Sequence, residues 1–279
     1  MGMEINCKIC SSTNTELYKR NSKEFIFCKK CGFFFLKDYP SEKTYASNFE
    51  QDTIMSAKEY LRAEHRRIFR IAGQLEFLSE IYQYKRPPAS ILDYGCGRGY
   101  FLDEARRHGY TVAGIEISLS AIYYCGNVGI PVYKKLNEVK TKFDVIVMYN
   151  SLVKTPNPME AMLPVKEKMN ENGLLFIKVP YTRSKYWKLF QTADYQFFKQ
   201  VYLQHFTIKS MKLLLEKSGF EILEIKKTRS RKKYNRRMLN LATKIFNEYY
   251  NLKIPFTEKL KRMFFDTFKK EISVVARLK

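Results

Sequence analysis

Residues 91–102, with the sequence I-L-D-Y-G-C-G-R-G-Y-F-L, constrain the fold of this chain more than any other stretch. They begin as a short apolar strand that ends at Asp93, pass three glycines at alternate positions, and enter a helix with Phe101, Leu102 and Ala105 on one face. Glycines permit a tight strand-to-helix turn and let a ligand lie against bare backbone. The first amide groups of the helix then point toward that ligand. The stretch therefore predicts a ligand site at the carboxyl end of a buried strand.

The next strand supplies a carboxylate at an informative distance. Residues 111–117 read T-V-A-G-I-E-I, which places Glu116 about twenty residues after the turn, where a carboxylate accepts hydrogen bonds from a ribose diol. The glycine spacing is D-x-G-x-G-x-G, which differs from the G-x-G-x-x-G of dinucleotide-binding folds. The two strands together predict a site for a nucleoside.

These residues resemble the class I S-adenosylmethionine-dependent methyltransferases, which have a Rossmann-like fold. Two further motifs follow in the order of that family, F-D-V-I-V-M-Y-N-S-L at 143–152 and N-G-L-L-F-I-K-V-P at 172–180. The resemblance covers roughly residues 88–225. Strands and helices alternate through this region, as a doubly wound sheet requires. The fold class implied is α/β, a Rossmann-like seven-stranded methyltransferase sheet with the cofactor at the carboxyl ends of its strands.

The resemblance also implies which residues hold S-adenosylmethionine. The methionine moiety is expected against Asp93 and the glycine turn, the ribose hydroxyls on Glu116, and the adenine on Ile117. The full set of expected cofactor-binding residues is Asp93, Gly95, Cys96 (through its backbone N–H), Gly97, Glu116, Ile117, Asn137 (near the adenine amine) and Asn150 (near the methyl group).

Four cysteines near the N-terminus predict a metal site. Cys7, Cys10, Cys28 and Cys31 form two C-x2-C pairs with a seventeen-residue spacer, a pattern typical of a four-thiolate zinc site. Apolar runs beside the second pair are expected to be the strands of a zinc ribbon. Four protein ligands leave no open coordination position, so we expect a structural zinc ion.

The predicted zinc ribbon precedes the methyltransferase motifs along the chain, and this order narrows the resemblance to a smaller family. It is similar to a bacterial family with an N-terminal zinc-binding segment, which includes sugar C-methyltransferases and enzymes of surface-polysaccharide clusters. The expected domains are a zinc ribbon at 1–40, a helical linker or lid at 41–88, and a methyltransferase domain at 89–279 with a basic amphipathic insertion at 226–270.

The sequence departs from this family where the acceptor would react. Relatives commonly have Glu-His after the fourth strand of the domain, whereas this chain has Val153 and Lys154. His205 remains as a candidate catalytic base, because a histidine titrates near neutral pH. A packed loop histidine is the other interpretation of the same residue.

The positive net charge of the chain indicates an anionic partner. The chain of 279 residues has 50 Lys and Arg against 28 Asp and Glu, a formal net charge of +22. Residues 226–270 contribute fifteen basic and three acidic residues around an apolar stripe. Such a segment suits peripheral contact with an anionic membrane surface, although a stripe of this kind also packs onto a domain core.

These observations favour a methyltransferase that acts on a sugar or glycolipid-type acceptor in surface-polysaccharide biosynthesis. No apolar run of eighteen residues and no secretory signal is found, so we expect a cytoplasmic protein, with peripheral attachment to the inner membrane face as an open alternative. RNA methylation is a second hypothesis, because a ribbon and a basic strip suit phosphate binding. A non-catalytic membrane-docked scaffold is a third.

Overall fold

The computed structural model describes residues 5–20, 23–41, 64–181, 202–229 and 270–279, together with positions 44, 45, 47, 48 and 50. Its elements are numbered here in chain order. Seven strands form the larger sheet: β4 (Ser90–Tyr94), β5 (Thr111–Ile115), β6 (Val132–Tyr133), β7 (Phe143–Tyr149), β8 (Met169–Pro180), β10 (Phe220–Arg229) and β11 (Lys270–Leu278).

The order of the strands places a crevice beside β4. The sequence across the sheet is β10-β11-β8-β7-β4-β5-β6, and β4 is parallel to its neighbours β5 and β7. The chain moves outward from β4 in one direction through β5 and β6, then crosses back to β7 on its other side. Such a reversal opens a crevice at the carboxyl ends of the strands. β11 alone among the seven strands runs antiparallel to both neighbours.

Helices cover both faces of this sheet. They are α1 (Glu64–Tyr84), α2 (Tyr100–Arg107), α3 (Leu119–Asn127), α4 (Pro158–Glu167) and α5 (Ile208–Lys217). Alternate residues of β7 point to opposite faces, as the pleat of a strand requires. Val145 and Val147 pack with α1 and α2, while Ile146 and Met148 pack with α4 and α5. The Rossmann-like seven-stranded fold that the sequence predicts is confirmed.

A smaller sheet joins the N-terminal segment to the rest of the molecule. It contains β1 (Thr15–Arg20), β2 (Lys23–Cys28), β3 (Phe34–Leu36) and β9 (Gln204–His205), in that order. The first three strands form an antiparallel meander, and β9 comes from a chain segment about 170 residues later. The four-cysteine module, residues 5–36, is therefore bound to the larger domain by strand pairing.

The module also shares its core with the larger domain. Cys7, Ile9 and Phe33 are buried in the same apolar cluster as Met211 and Leu214 of α5. Thr207, the N-cap of α5, donates a hydrogen bond from its hydroxyl to the carbonyl oxygen of Cys31 at 2.8 Å. Apolar contact and hydrogen bonding thus fix the module against the base of α5.

The basic insertion begins and ends at the carboxyl edge of the larger sheet. Arg229 at the end of β10 pairs with Lys270 at the start of β11, and Glu271 pairs with Pro180 at the end of β8. Residues 226–229 are part of β10, while 230–269 lie outside the described residues. Within the described part of the chain, no helix is long and apolar enough to cross a membrane.

Candidate active site

The glycine turn lies between two neighbouring strand ends. Gly95 has φ +86°, and a Cβ on it would come within 2.6 Å of the Ser151 side chain at the end of β7. Gly97 has φ +54°, and a Cβ there would meet no atom of a described residue within 4 Å. A side chain at 95 would therefore collide with the protein, whereas one at 97 would point into open space. The turn leaves one open position in the crevice, where a ligand can approach the backbone.

Glu116 binds this turn to the strand beside it. Its carboxylate accepts hydrogen bonds from the backbone N–H groups of Gly97 at 2.8 Å, Ile117 at 2.7 Å and Ser118 at 2.9 Å. A carboxylate has about four lone-pair positions, so capacity remains for a further donor. The buried Glu116 therefore fixes the shape of the turn, and its predicted contact with ribose hydroxyls stays a prediction.

Asp93 is a buried carboxylate without a partner. It is 4% exposed, and Oδ1 has no hydrogen-bond partner among the described residues. Burial, and then the nearby carboxylate of Glu116, raise the pKa of Asp93 to about 8. A buried carboxyl in this state gains free energy when a positive group is placed against it. The position suits the ammonium group of a methionine moiety.

Two more unpartnered oxygens lie where β7 ends. Asn150 has a positive φ of 57°, and its N–H donates to the carbonyl oxygen of Lys178 at 2.8 Å. Its buried Oδ1 and the buried Oγ of Ser151 have no hydrogen-bond partner in the described part of the chain. Buried polar atoms are nearly always satisfied, so orphaned oxygens around one crevice indicate a missing polar ligand. The residues present fit the polar groups of S-adenosylmethionine.

Apolar surface lies beside Glu116. Ile117 is 47% exposed and Leu119 is 62% exposed, which is unusual for large apolar side chains next to a buried site. The adjacent Ser118 hydroxyl donates to Glu50 at 2.7 Å, and Glu50 also accepts from the N–H of Ser120. The exposed side chains offer a platform for a flat base. Glu50 belongs to no local motif, and Ser151 lies within the motif at 143–152 without a role predicted for it.

Two other predicted cofactor residues, Cys96 and Asn137, do not lie among the unpartnered oxygens of the crevice. The N–H of Cys96 donates to the carbonyl oxygen of Ile115 at 3.0 Å, so it holds the turn in place. Asn137 is exposed in a single 3-10 turn, Leu136–Glu138, that follows β6 at the sheet edge. Contact of either residue with the cofactor stays a prediction.

The segment after β7 packs against β9. Val153 is fully buried, and its carbonyl oxygen accepts from the N–H of Leu203 at 2.9 Å. Gln204 donates from Nε2 to the carbonyl oxygen of Leu152 at 2.7 Å and to Oγ1 of Thr155 at 2.8 Å. An apolar side chain therefore fills the position where relatives of this type commonly have an acid.

His205 lies in β9, the edge strand of the small sheet that packs against this segment. It is 1% exposed and pairs with Phe34 of β3. Its ring centroid is 5.9 Å from that of Phe34 and 6.3 Å from that of Tyr202. The packing restricts the orientation of the ring, and a role as catalytic base stays a prediction.

The four N-terminal cysteines form one cluster. All four Sγ atoms lie within 4.8 Å of one another, with Cys7 and Cys31 3.6 Å apart and Cys10 and Cys28 3.5 Å apart. Zn–S bonds of 2.3 Å in a tetrahedron require S···S distances of about 3.8 Å. A hydrogen bond with the thiol of Cys31 lowers the pKa of Cys7, and the same contact together with burial raises the pKa of Cys31, so the pair shares one thiolate. The donor set and its spacing fit a zinc ion.

Comparison with solved structures supports the fold. A 1,6-didemethyltoxoflavin-N1-methyltransferase from Burkholderia thailandensis, solved with 1,6-didemethyltoxoflavin and S-adenosylhomocysteine, has a TM-score of 0.56 at 12% identity over 95% of this chain and 99% of that chain. A Thermotoga maritima methyltransferase dependent on S-adenosylmethionine gives 0.55 at 15% identity over 84% and 100%. A chain from the complex of the Haloferax volcanii Trm112 methyltransferase activator with a methyltransferase gives 0.54 at 11% identity over 70% and 84%. No curated protein sequence matches the chain.

A family model for a methyltransferase domain matches residues 62–225, which is more than half of the chain. The matched region contains the glycine turn, Glu116 and Asn150, and the solved structures have a similar fold. The chain therefore belongs to the S-adenosylmethionine-dependent methyltransferases.

Proposed function

We propose that this enzyme transfers the methyl group of S-adenosylmethionine to a sugar or glycolipid-type acceptor in surface-polysaccharide biosynthesis. The proposal rests on the pairing of β3 with β9. This pairing brings the four-cysteine module next to the segment that follows β7. The sequence order of a zinc-binding segment and a methyltransferase domain resembles bacterial sugar C-methyltransferases. In this chain the module lies beside the segment that would contact an acceptor.

The proposed cofactor set assigns one task to each strand end. Asp93 would oppose the methionine ammonium, Glu116 would accept from the ribose hydroxyls, and Ile117 would lie against the adenine. Asn150 and Ser151 would donate or accept near the methyl group. S-adenosylmethionine supplies a methyl group activated by a sulfonium, whose departure leaves a neutral thioether. The residues therefore need chiefly to hold the two reacting atoms close and in line, and effects of this kind supply several kcal/mol, roughly 7–11 in favourable cases.

A base is needed only if the acceptor is a hydroxyl or a carbon acid. His205 is our candidate, because it lies on β9 beside the segment after β7. With Val153 in the place of the family's acid, that segment offers no carboxylate for the task. A base acts within hydrogen-bond reach of the proton that it removes, so the role depends on where the acceptor binds.

We also assign zinc to the four-cysteine module, with a structural role. Four thiolates complete the coordination of the ion and leave no position for a substrate. The metal would hold β2 and β3 together and so position β9 next to the crevice. We also propose that the zinc ribbon ends at residue 40 and that the helical linker ends at residue 88.

The chemical class of the acceptor can be tested directly. The purified enzyme is incubated with methyl-labelled S-adenosylmethionine and a bacterial lysate, and the lysate is then separated into lipid, sugar, RNA and protein fractions. We expect label in sugar-bearing or glycolipid fractions. Label confined to RNA or protein would contradict the proposal.

The basic composition supports a membrane contact and keeps RNA as the second candidate. Residues 226–270 carry a net charge of +12, and about 1 kcal/mol per basic residue near anionic lipid would suffice for reversible docking. Cosedimentation with vesicles that contain phosphatidylglycerol, compared with neutral vesicles, tests that contact. RNA binding would instead appear in filter-binding titrations as an affinity that falls steeply with salt.

A further inference from the structure

A polar cluster lies under α1, on the face of the sheet opposite to α4 and α5. Its members are Lys178 on β8, Tyr149 on β7 and Gln74 on α1, with Glu271 of β11 at its border; we refer to these four residues as the lysine subsite. Lys178 is in register with Tyr149, so the two side chains lie on one face of neighbouring strands. None of the four belongs to the cofactor set proposed above.

The direction of α1 places this cluster near the carboxyl edge. Lys85, just after α1, lies 3.7 Å from Asp144 near the start of β7, so α1 runs antiparallel to the strand. Phe77 of α1 contacts Tyr149 at the other end of β7, with the ring centroids 5.1 Å apart. Gln74 precedes Phe77 by about one turn on the same face of the helix. It therefore lies still farther toward the carboxyl edge.

Lys178 is a buried ammonium with unused donors. The residue is 5% exposed, and Nζ makes no hydrogen bond to a described residue. Its nearest charge is Oε2 of Glu271 at 3.8 Å, and the ring centroids of Phe77 and Tyr149 are 5.5 Å and 5.7 Å away. Removing an ammonium from water costs several kcal/mol, on the order of the gain from a good ion pair. A buried ammonium group is therefore stable only where its N–H groups have hydrogen-bond acceptors.

Lys178 also lies next to the reacting region. Its carbonyl oxygen accepts the hydrogen bond from the N–H of Asn150, the residue that we place near the transferred methyl group. Gln74 is 9% exposed, and its Oε1 has no hydrogen-bond partner among the described residues. Burial, with neighbouring carboxylates, raises the pKa of Tyr149, so its phenol stays protonated. Lys178, whose Nζ lies 5.5 Å from the Phe77 ring centroid, thus has unused donors, and Gln74, about one turn from Phe77 on α1, has an unused acceptor.

The charges of the described residues around this cluster disfavour an anionic ligand. The carboxylates that act on Tyr149 are those of Glu271, Glu76 and Glu80, whereas Lys178 is the one buried cation in the described part of this region. A phosphate or carboxylate placed here would meet more negative than positive charge. A hydroxyl group avoids this repulsion, since it accepts from an ammonium and donates to an amide oxygen.

We infer that the lysine subsite binds hydroxyl groups of the acceptor, with Lys178 donating to one hydroxyl oxygen and Gln74 accepting from a hydroxyl. The inference rests on the proposed function, because it assumes an acceptor of the sugar class. Lys178 and Gln74 are specificity-determining residues in this arrangement, and they orient the acceptor toward the methyl group beside Asn150.

The test uses the full-length enzyme and the labelled-cofactor assay on lysate fractions. Lys178→Met and Gln74→Leu keep the approximate volumes of the side chains and remove the polar groups. We expect each to lower transfer into the sugar-bearing fraction by roughly tenfold to a hundredfold, as the loss of hydrogen bonds to a charged or buried group does. Affinity for S-adenosylhomocysteine, measured by calorimetry, should stay within about twofold. That affinity also shows that each variant is folded.

Lys212→Met is the matched control. Lys212 of α5 is an exposed lysine on the opposite face of the sheet, and its loss should leave transfer unchanged. Transfer at the wild-type rate in both Lys178→Met and Gln74→Leu would overturn the subsite but leave the proposed function intact. A large loss of cofactor affinity in Lys178→Met would also overturn it, because the lysine would then serve the cofactor. Label from the wild-type enzyme in RNA alone would instead refute the proposed function.

Discussion

The proposed cofactor and acceptor ends of the crevice are built in different ways. At the cofactor end, Asp93, the glycine turn and the residues 116–118 come from two adjacent strands and lie within 26 residues of one another along the chain. At the acceptor end, β3, Gln74, Lys178 and β9 come from four distant parts of the chain. The first end is a short local unit, and the second is an assembly of long-range contacts.

The two ends also differ in how their polar groups are satisfied. Three backbone N–H groups bind Glu116 at the cofactor end, so the turn holds its shape before a ligand arrives. Lys178 at the acceptor end has no hydrogen bond to a described residue. We interpret the first end as preorganised for one cofactor, while the second keeps donors for an acceptor that differs between enzymes. This difference can be tested by disturbing one end at a time.

Removal of the metal should have the largest effect, and it should act on the acceptor end alone. Cys28→Ser breaks the thiolate set that holds β2 and β3, and structural zinc in small modules contributes on the order of 10 kcal/mol of folding free energy. We expect loss of bound zinc by atomic absorption, and fast hydrogen exchange at the amides of β3 and β9. Cofactor affinity should change by no more than about threefold.

Cys125→Ser is the matched control for this experiment, since it removes a buried thiol from α3 outside the cluster. It should retain the zinc and the protection of β9. If Cys28→Ser kept slow exchange in β9, the module would not support that strand, and our account of the acceptor end would be wrong.

Asp93→Ala should have the next largest effect, this time at the cofactor end. The substitution removes the buried carboxylate that would oppose the methionine ammonium, and the loss of one partner of such a pair costs about 2–5 kcal/mol. We expect S-adenosylmethionine affinity to fall by roughly a hundredfold in calorimetry. Asp103→Ala, which removes a half-buried aspartate paired with Arg106 and Arg107, should leave the affinity unchanged. Wild-type affinity in Asp93→Ala would eliminate the proposed pocket.

The sequence predicts the strand, the glycine turn and the nearby carboxylate because these features lie close together along the chain. Strand β4, the glycine turn and the carboxylate of Glu116 follow from spacing alone, and the structure brings Glu116 to within 2.8 Å of the turn amide. The cysteine spacing likewise predicts a cluster that the structure contains. In both cases a few residues of fixed type at fixed distances along the chain determine the arrangement.

The sequence contains no comparable pattern for the residues that we propose at the acceptor end. A lone lysine within the strand L-L-F-I-K-V-P does not show whether it faces solvent or the underside of a helix. Its burial depends on the packing of α1, and the pairing of β9 with β3 joins residues about 170 positions apart. A two-residue strand has too few residues to show a periodic pattern. Contacts of this range become visible only in the folded chain.

The raised pKa of Asp93 predicts a pH-dependent stability that the cofactor removes. The folded protein keeps a proton on this carboxyl up to about pH 8, whereas the unfolded chain loses it near its ordinary pKa of 3.8. The folded state therefore binds more protons between these values, and stability falls as pH rises through about 8. Asp93→Asn stays neutral. Without cofactor it should match the wild type near pH 4 and exceed it by several kcal/mol at pH 9, about 1.4 kcal/mol for each of the roughly four pH units between the two pKa values.

Urea unfolding of the two proteins at both pH values measures this difference, and other titrating groups cancel because they are common to both. Saturating S-adenosylhomocysteine should reduce the gap, since its ammonium would neutralise the carboxylate. A gap that is independent of pH would show that Asp93 is not the titrating group.

The smallest expected effect comes from a single methyl group placed in the crevice. Gly97→Ala adds a Cβ in open space at a residue with φ +54°, where an alanine costs about 1–2 kcal/mol of backbone strain. Gly126→Ala also adds a methyl group that meets no atom within 4 Å, but it lies on the exposed surface of α3. The helix should gain up to about 1 kcal/mol from that change, because alanine is the better helix former. Cofactor affinity should fall by about tenfold in Gly97→Ala and stay unchanged in Gly126→Ala, as measured by calorimetry. Equal affinities would mean that the space above Gly97 is not where the ligand lies, and the cofactor end would then have to be placed elsewhere along the carboxyl edge.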